Sequence, residues 1–277
     1  MVSEFISWID EKKIIPLEAH LMNTANLAEK LLGGDWRIVS KRFGINENLL
    51  RYASLLHDIG KVAYYRVIGT PDLEPCKLSG FHNRHSFSYH EVFSTLCVVC
   101  LEEVDALGLQ EDEYFILELS VLFHHFGMEN RYVSERILTY GELKVKQLMK
   151  LGKSKRKRYV LDFVEGRMRS EEVGLYQIID EMLGLLPKIG LTTVDSTCDV
   201  DRCLLLLKNL MSVKMNPEES GYPALFALLG YLSVADSLSA SMERDGKIPK
   251  SGYKRGLMNE LGISEEDLRS LLQDPGR

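Results

Sequence analysis

Cysteine, strand-like alternation, positive charge and long apolar runs are all scarce in this 277-residue sequence, and each scarcity closes off a class of protein. Five cysteines are an odd number without disulfide-framework spacing, which points to reduced thiols in the cytoplasm. Cys97 and Cys100 form one C-x-x-C, but it lies in the apolar run Val92–Leu101 with no second C-x-x-C nearby, so a zinc ribbon is not expected. The net charge of −6 excludes a general polyanion binder; any nucleic-acid surface has to be a local patch. No apolar run reaches the roughly 18 residues of a membrane span. Ala224–Ala235 comes nearest and stops at Asp236. Met1–Lys13 mixes charges early and has no signal-peptide core, so neither a membrane partner nor secretion is expected. Alternation of apolar and polar residues is rare, with Thr192–Thr197 the best short candidate, and no internal repeat appears.

Helical periodicity fills the space that these absences leave. Leu17, Leu21, Ala25, Ala28 and Leu32 form a stripe on one helix face. Glu47–His57 reads as a second helix with Asn46 placed to cap it. A loop from Gly69 to Gly80 carries Pro71 and Pro75. Further helices are expected over His85–Glu103, Glu113–Phe126, Ser170–Leu186 and Asp199–Val213, and from Pro223 to about Glu243. The fold class is therefore all-α: a helical bundle over residues 1–245, followed by a short helical extension over 246–277.

All seven histidines fall in the first half of the chain. His57-Asp58-Ile59-Gly60-Lys61 ends an apolar helix. An adjacent His-Asp pair offers a nitrogen and an oxygen to one divalent cation, and the second carboxylate oxygen can bridge to another. Gly60 permits a sharp change of chain direction, and Lys61 offers a point charge to a phosphate oxygen. His20 sits one helix upstream. His124-His125 closes an apolar helix before Gly127, where the roughly 100° angle between adjacent helical residues can relax. His90 supplies a further nitrogen, with His82 and His85 as open substitutes for it. Asp236 lies within an apolar helix, where an unpartnered carboxylate would cost several kcal/mol; a metal is an obvious partner.

One stretch departs from the acidic average. Lys144, Lys146, Lys150, Lys153, Lys155, Arg156, Lys157 and Arg158 follow one another with no acidic residue between them, flanked by Tyr140 and Tyr159. The run is either a solvated helix face and loop or a surface for nucleic-acid phosphates, with Lys153, Lys155, Arg156, Lys157 and Arg158 as the contacts.

The ordered series His20, His57-Asp58, His90, His124-His125, Asp236 resembles the HD superfamily of phosphohydrolases, and within it the CRISPR-associated HD nucleases that partner the interference helicase. The resemblance covers about Leu17 to Glu243. It implies an all-helical metal-dependent phosphohydrolase in which His20, His57, Asp58 and Asp236 hold one ion, while Asp58, His90, His124 and His125 hold another. Asp58 and Lys61 would be the catalytic residues. Two transition-metal ions (Mn, Fe, Co or Ni in preference to Mg) would activate a water to cut single-stranded DNA, with RNA as the further possibility. The implied partners are the nucleic acid and a helicase or CRISPR effector complex. The segment after Ala235 also resembles the HD domain of the large type III CRISPR effector subunit, so a detached domain of that kind is an alternative; so is an HD nucleotide phosphohydrolase. Gly221-Tyr222-Pro223 is read as a helix start. A purely structural subunit is disfavoured by the intact ligand set.

Overall fold

The computed structural model describes residues 5–9, 14–69, 90–125, 155–162, 167–193, 198–210 and 222–245, with a few isolated positions between and after them. His82, His85, Lys153, most of the loop from Gly69 to Gly80 and nearly all of 246–277 lie outside the described residues.

A short hairpin opens the chain: β1 (Ile6–Ile9) pairs antiparallel with β2 (Ile14–Pro16). Pro16, held extended, then starts α1 (Leu17–Leu27), which buries Leu17, Leu21, Ala25 and Leu27 together with His20 and Thr24. The expected helix continues to Leu32, but its last five residues widen into a π-turn, Ala28–Leu32, and run on into α2 (Gly33–Phe43). Gly44, at φ 66°, ends α2 in the left-handed conformation that glycine adopts without penalty.

The next helix starts later than expected, and Asn46 is not its cap: Asn48 caps α3 (Leu49–Leu56), and Asn46 Oδ1 accepts the Asn48 N–H at 2.9 Å in a turn just ahead of it. The His-Asp pair follows at once, then a 3₁₀ turn (Ile59–Ala63) and β3 (Tyr65–Ile68). α4 (His90–Glu103) is buried at every position from His90 to Leu101, which makes it the central helix. α5 (Glu111–Phe123) is tied at its start by Glu113, whose carboxylate accepts the backbone N–H of Gln110 at 2.9 Å and of Asn46 at 2.7 Å.

The sparse strand signal hid a three-stranded sheet. β4 (Arg156–Asp162) lies between β3, to which it is parallel, and β5 (Arg167–Val173), to which it is antiparallel. The end of the basic run is thus a strand, and Ser170–Val173, expected as helix, is strand too. Charge concealed the pattern because long polar side chains can line a half-buried sheet face when they are paired. Thr192 and Thr193 are irregular, and the rest of that candidate strand lies outside the described residues.

α6 (Leu175–Leu185), α7 (Val200–Leu210) and α8 (Tyr222–Asp245) complete the bundle. α8 packs against α1, α2, α3 and α5. Over Pro223–Arg244 it is long and apolar enough to cross a membrane, yet it brings buried Asp236 and Glu243 into the centre of the bundle, which is the behaviour of a core helix. One continuous apolar core runs from Phe5 to Ala235. Each fully buried Leu or Ile in it contributes about 1.5–3 kcal/mol.

Glu118 on α5 is a buried carboxyl in that core, apart from the His-Asp pair. Burial, then the neighbouring carboxyl of Glu102, push its pKa well above the ordinary range, and burial pushes Glu102 upward as well. A raised carboxyl pKa means the folded state binds the proton more tightly than the unfolded chain, so stability falls as pH rises above the unfolded value of about 4.3. Glu118→Gln removes that loss. Urea unfolding at about pH 8 is expected to show the variant more stable than the parent, with the gain shrinking toward about pH 4; a pH-independent difference would contradict the assignment.

Candidate metal centre

The structure brings His20, His57, Asp58, His90, His124, His125 and Asp236 to one place from five segments of chain. His20 comes from α1, His57-Asp58 from the end of α3, His90 from the first position of α4, His124-His125 from the end of α5, and Asp236 from α8. The ligand atoms fall into two groups that share Asp58: His20, His57, Asp58 and Asp236, and Asp58, His90, His124 and His125. All except His125 are buried.

Asp58 divides its two oxygens between the groups. Oδ2 faces His20 Nε2 at 3.1 Å and His57 Nε2 at 3.5 Å. Oδ1 faces His90 Nε2 at 2.7 Å and His124 Nε2 at 3.5 Å. Asp236 Oδ1 lies 3.4 Å from His20 Nε2 and 3.5 Å from His57 Nε2, closing the first group. His125 Nε2 lies 3.0 Å from His90 Nε2 in the second.

The backbone fixes which ring nitrogen points inward. His57 Nδ1 sits 2.9 Å from the Ser54 carbonyl, His90 Nδ1 2.6 Å from that of Phe87, and His124 Nδ1 2.6 Å from that of Val121. A carbonyl only accepts, so each Nδ1 carries a proton and donates it to the residue three positions earlier. Each Nε2 is then left as a lone pair facing the centre. His20 reaches the same end differently: its Nδ1 donates to Glu243 Oε2 at 2.8 Å. The other oxygen of Glu243 accepts from Asn23 Nδ2 at 2.8 Å and from Ser239 Oγ at 3.0 Å.

These lone pairs test whether a cation fits. His20 Nε2, His57 Nε2, His124 Nε2 and Asp58 Oδ1 are buried without a hydrogen-bond partner of adequate geometry. Their contacts with carboxylate oxygens are close, but a lone pair facing a carboxylate attracts only if a proton or a cation lies between. Leaving each orphaned costs about 1–3 kcal/mol, so the donor set suits divalent metal ions with imidazole and carboxylate ligands.

The titration behaviour follows from the same crowding. Burial lowers the pKa of His57 and of His90, and burial followed by the charges of His124 and His90 takes His125 down to about 2. All three are thereby kept in the neutral form that metals bind. For His20, burial is the largest influence and lowers the value, but Glu243, Asp236 and Asp58 together outweigh it and raise the pKa well above normal. The carboxylates that favour a second proton on His20 would equally favour a cation in its place. Burial raises Asp58 and Asp236, yet both end well below the usual carboxylate range. Lys61 and the imidazoles of His57, His90 and His124 hold Asp58 down, while His20 and His57 hold Asp236 down.

Three expectations need correction. Lys61 does not reach out toward a phosphate: its ammonium is buried against Asp58 Oδ2 and 3.3 Å from Ser7 Oγ. Gly60 is not needed for a left-handed conformation, since its φ is not positive. It is needed for closeness, because an added Cβ would lie 2.2 Å from the His90 carbonyl oxygen. Arg158 is not a nucleic-acid contact. It is fully buried, donates to Glu171 directly opposite on β5 at 2.7 Å, and pairs with Glu181 on α6. Arg156 lies half-buried, 3.8 Å above the Tyr64 ring and 5.4 Å from that of Phe93. Lys155 and Lys157 are exposed, and Tyr159 stacks on Tyr65.

Glu243 is the functional residue the sequence reading passed over. It stands seven residues, two helical turns, after Asp236 and so on the same face of α8; that spacing was the available signal.

The family model described as the HD domain matches residues 17–183, more than half of the chain. The match contains His20, His57, Asp58, His90, His124 and His125, while Asp236 and Glu243 lie beyond it. No curated protein and no solved structure matches the chain.

The packing of the His-Asp turn against α4 yields a sharp test. A Cβ on residue 60 would also meet Ser94 N at 2.6 Å and Phe93 Cβ at 2.7 Å, and neither can swing aside. The Gly60 N–H donates to Ser94 Oγ at 2.9 Å, so the turn and the helix are already joined. Gly60→Ala is expected to cost about 3 kcal/mol of stability, at the upper end of overpacking. It should also weaken Mn²⁺ binding by separating His90 from Asp58. Unfolding and calorimetric titration check both; a variant as stable as the parent would contradict the packing argument.

Proposed function

The chain belongs to the HD domain family, which marks it as a metal-dependent hydrolase, and from that premise we propose that it is a two-metal phosphodiesterase acting on single-stranded nucleic acid. One observation carries the two-ion reading: the oxygens of Asp58 face separate histidine groups, the arrangement of a bridging carboxylate. Two divalent ions bound there would supply an acidified water and neutralise charge on the phosphate. The rest falls to side chains of this protein. Lys61 keeps Asp58 ionised so that both oxygens serve as ligands. The carbonyls of Ser54, Phe87 and Val121 hold three imidazoles in the ligating tautomer, and Glu243 does the same for His20. The imidazole-rich set favours Mn, Fe, Co or Ni over Mg.

The polymer substrate rests on narrower ground than the basic run first offered. Exposed Lys157 on β4 and exposed Lys155 just before it support it, since β3, the neighbour of β4, follows soon after the His-Asp turn. The resemblance to CRISPR-associated HD nucleases favours single-stranded DNA over RNA and a helicase or effector complex as partner. A second reading, an HD nucleotide phosphohydrolase, draws on one feature: every proposed ligand but His125 is buried, and an enclosed centre suits a small substrate.

The purified protein loaded with Mn²⁺ and offered single-stranded DNA, duplex DNA, RNA and dNTPs decides between the two. Cutting of single-stranded DNA is expected, reduced at least about 100-fold in Asp58→Asn, in keeping with loss of metal chemistry. Lys155→Ala with Lys157→Ala should weaken binding to long strands and flatten its salt dependence by roughly 0.7 per lost phosphate contact. Hydrolysis of dNTPs alone would favour the second reading, and near-normal activity in Asp58→Asn would end both.

A further inference from the structure

A second group of soft ligands lies apart from the His-Asp centre. Cys100 stands near the end of α4, Cys198 just ahead of α7, and Cys203 in the first turn of α7. Their sulfurs lie within 4.8 Å of one another, and those of Cys100 and Cys198 are 2.8 Å apart. All three cysteines are free thiols. Glu103, one turn beyond Cys100, brings Oε2 to 3.2 Å from Cys203 Sγ. The same oxygen accepts the Asp199 N–H at 2.9 Å, and Arg202 Nη1 lies 3.6 Å from Oε1. The carboxylate is therefore held in place and its charge partly offset.

We propose that Cys100, Cys198, Cys203 and Glu103 form a structural site for a thiophilic divalent cation, zinc first, that clips α7 to α4. Three convergent sulfurs are hard to explain by packing alone, since thiols are weak hydrogen-bond partners and a small apolar side chain would fill the space as well. A tetrahedral zinc with bonds of about 2.3 Å to sulfur sets its thiolates roughly 3.8 Å apart. Such spacing fits within the observed span, with Cys198 drawing back from Cys100. The ligands come as Cys100 and Glu103 on one segment and Cys198 and Cys203 on another nearly 100 residues away, so the fold brings together cysteines that the sequence keeps apart. Cys198 also lies at the start of α7, where the helix dipole favours a thiolate. Cys97, one turn before Cys100, is fully buried in the core and outside the ligand group.

Cobalt(II) distinguishes this site from the other because only thiolate ligands give sulfur-to-cobalt charge-transfer absorption. The full chain, stripped of metal and kept reduced with a phosphine, is titrated with Co²⁺ and then with Zn²⁺. A near-ultraviolet charge-transfer band whose full amplitude corresponds to one thiolate-bound cobalt per chain, and which zinc bleaches, is expected. Asp58→Asn and Cys97→Ala should keep the band. Cys198→Ser, a conservative change at a partly exposed position, should abolish it and lower zinc affinity at this site by more than about 100-fold, since loss of even an outer-shell partner costs 10- to 100-fold. X-ray absorption at the zinc edge of the intact protein should show sulfur neighbours at about 2.3 Å. A reduced protein with no such band, a band that survives Cys198→Ser, or a Cys100–Cys198 disulfide in place of the ion would each overturn the proposal.

Discussion

A carboxylate buried among four imidazoles is the constraint around which this bundle is arranged. Asp58 is almost fully enclosed, and each of its oxygens faces nitrogen lone pairs. In an apolar core such a group would be far too costly to keep ionised without positive charge beside it. Lys61 supplies part of that charge from within the chain. The remainder is the place for cations. Helices from both ends of the chain must therefore meet here, and α8 contributes both Asp236 to the ligand set and Glu243 to its support.

Orientation of the ligands depends on a repeated local device. Histidines 57, 90 and 124 each stand at a helix end and each donate Nδ1–H to the carbonyl three residues before. Two of these carbonyls belong to the last turn of α3 or α5, where the backbone has no further helical N–H to accept. The imidazole satisfies the carbonyl, and the carbonyl fixes the tautomer. Secondary structure and metal chemistry thus settle each other's unpaired groups, which is why the His-Asp and His-His pairs occur where helices stop.

The legible part of the site was the part carried by residue type and spacing. Histidines that end apolar helices, and an aspartate inside one, are anomalies visible without coordinates. The two-sided use of Asp58 was open only as a possibility, because which oxygen faces which ring depends on where α1 and α4 cross the turn. Glu243 was passed over because a glutamate near a helix end reads as a solvated residue until Asp236 is seen two turns before it on the same face. The basic run failed for the opposite reason: Lys155 and Lys157 are solvated as their type suggests, but Arg158 alternates inward on β4 to meet Glu171 and Glu181. Net charge along a segment does not tell which side chains a strand turns inward. Gly60 was singled out correctly as special, but its role lies in contact with α4, which no local pattern reveals.

The helical architecture and the family assignment do not depend on how many ions the centre holds, whereas the account of Asp58 does. Electron paramagnetic resonance of the Mn²⁺-loaded protein measures this directly, because two manganese ions that share a carboxylate are magnetically coupled. The account predicts two ions per chain with a coupled spectrum, and in Asp58→Asn the loss of that coupling together with most of the bound metal. A single ion per chain, or two uncoupled ions that persist in Asp58→Asn, would contradict the claim that one buried carboxylate joins the two histidine groups.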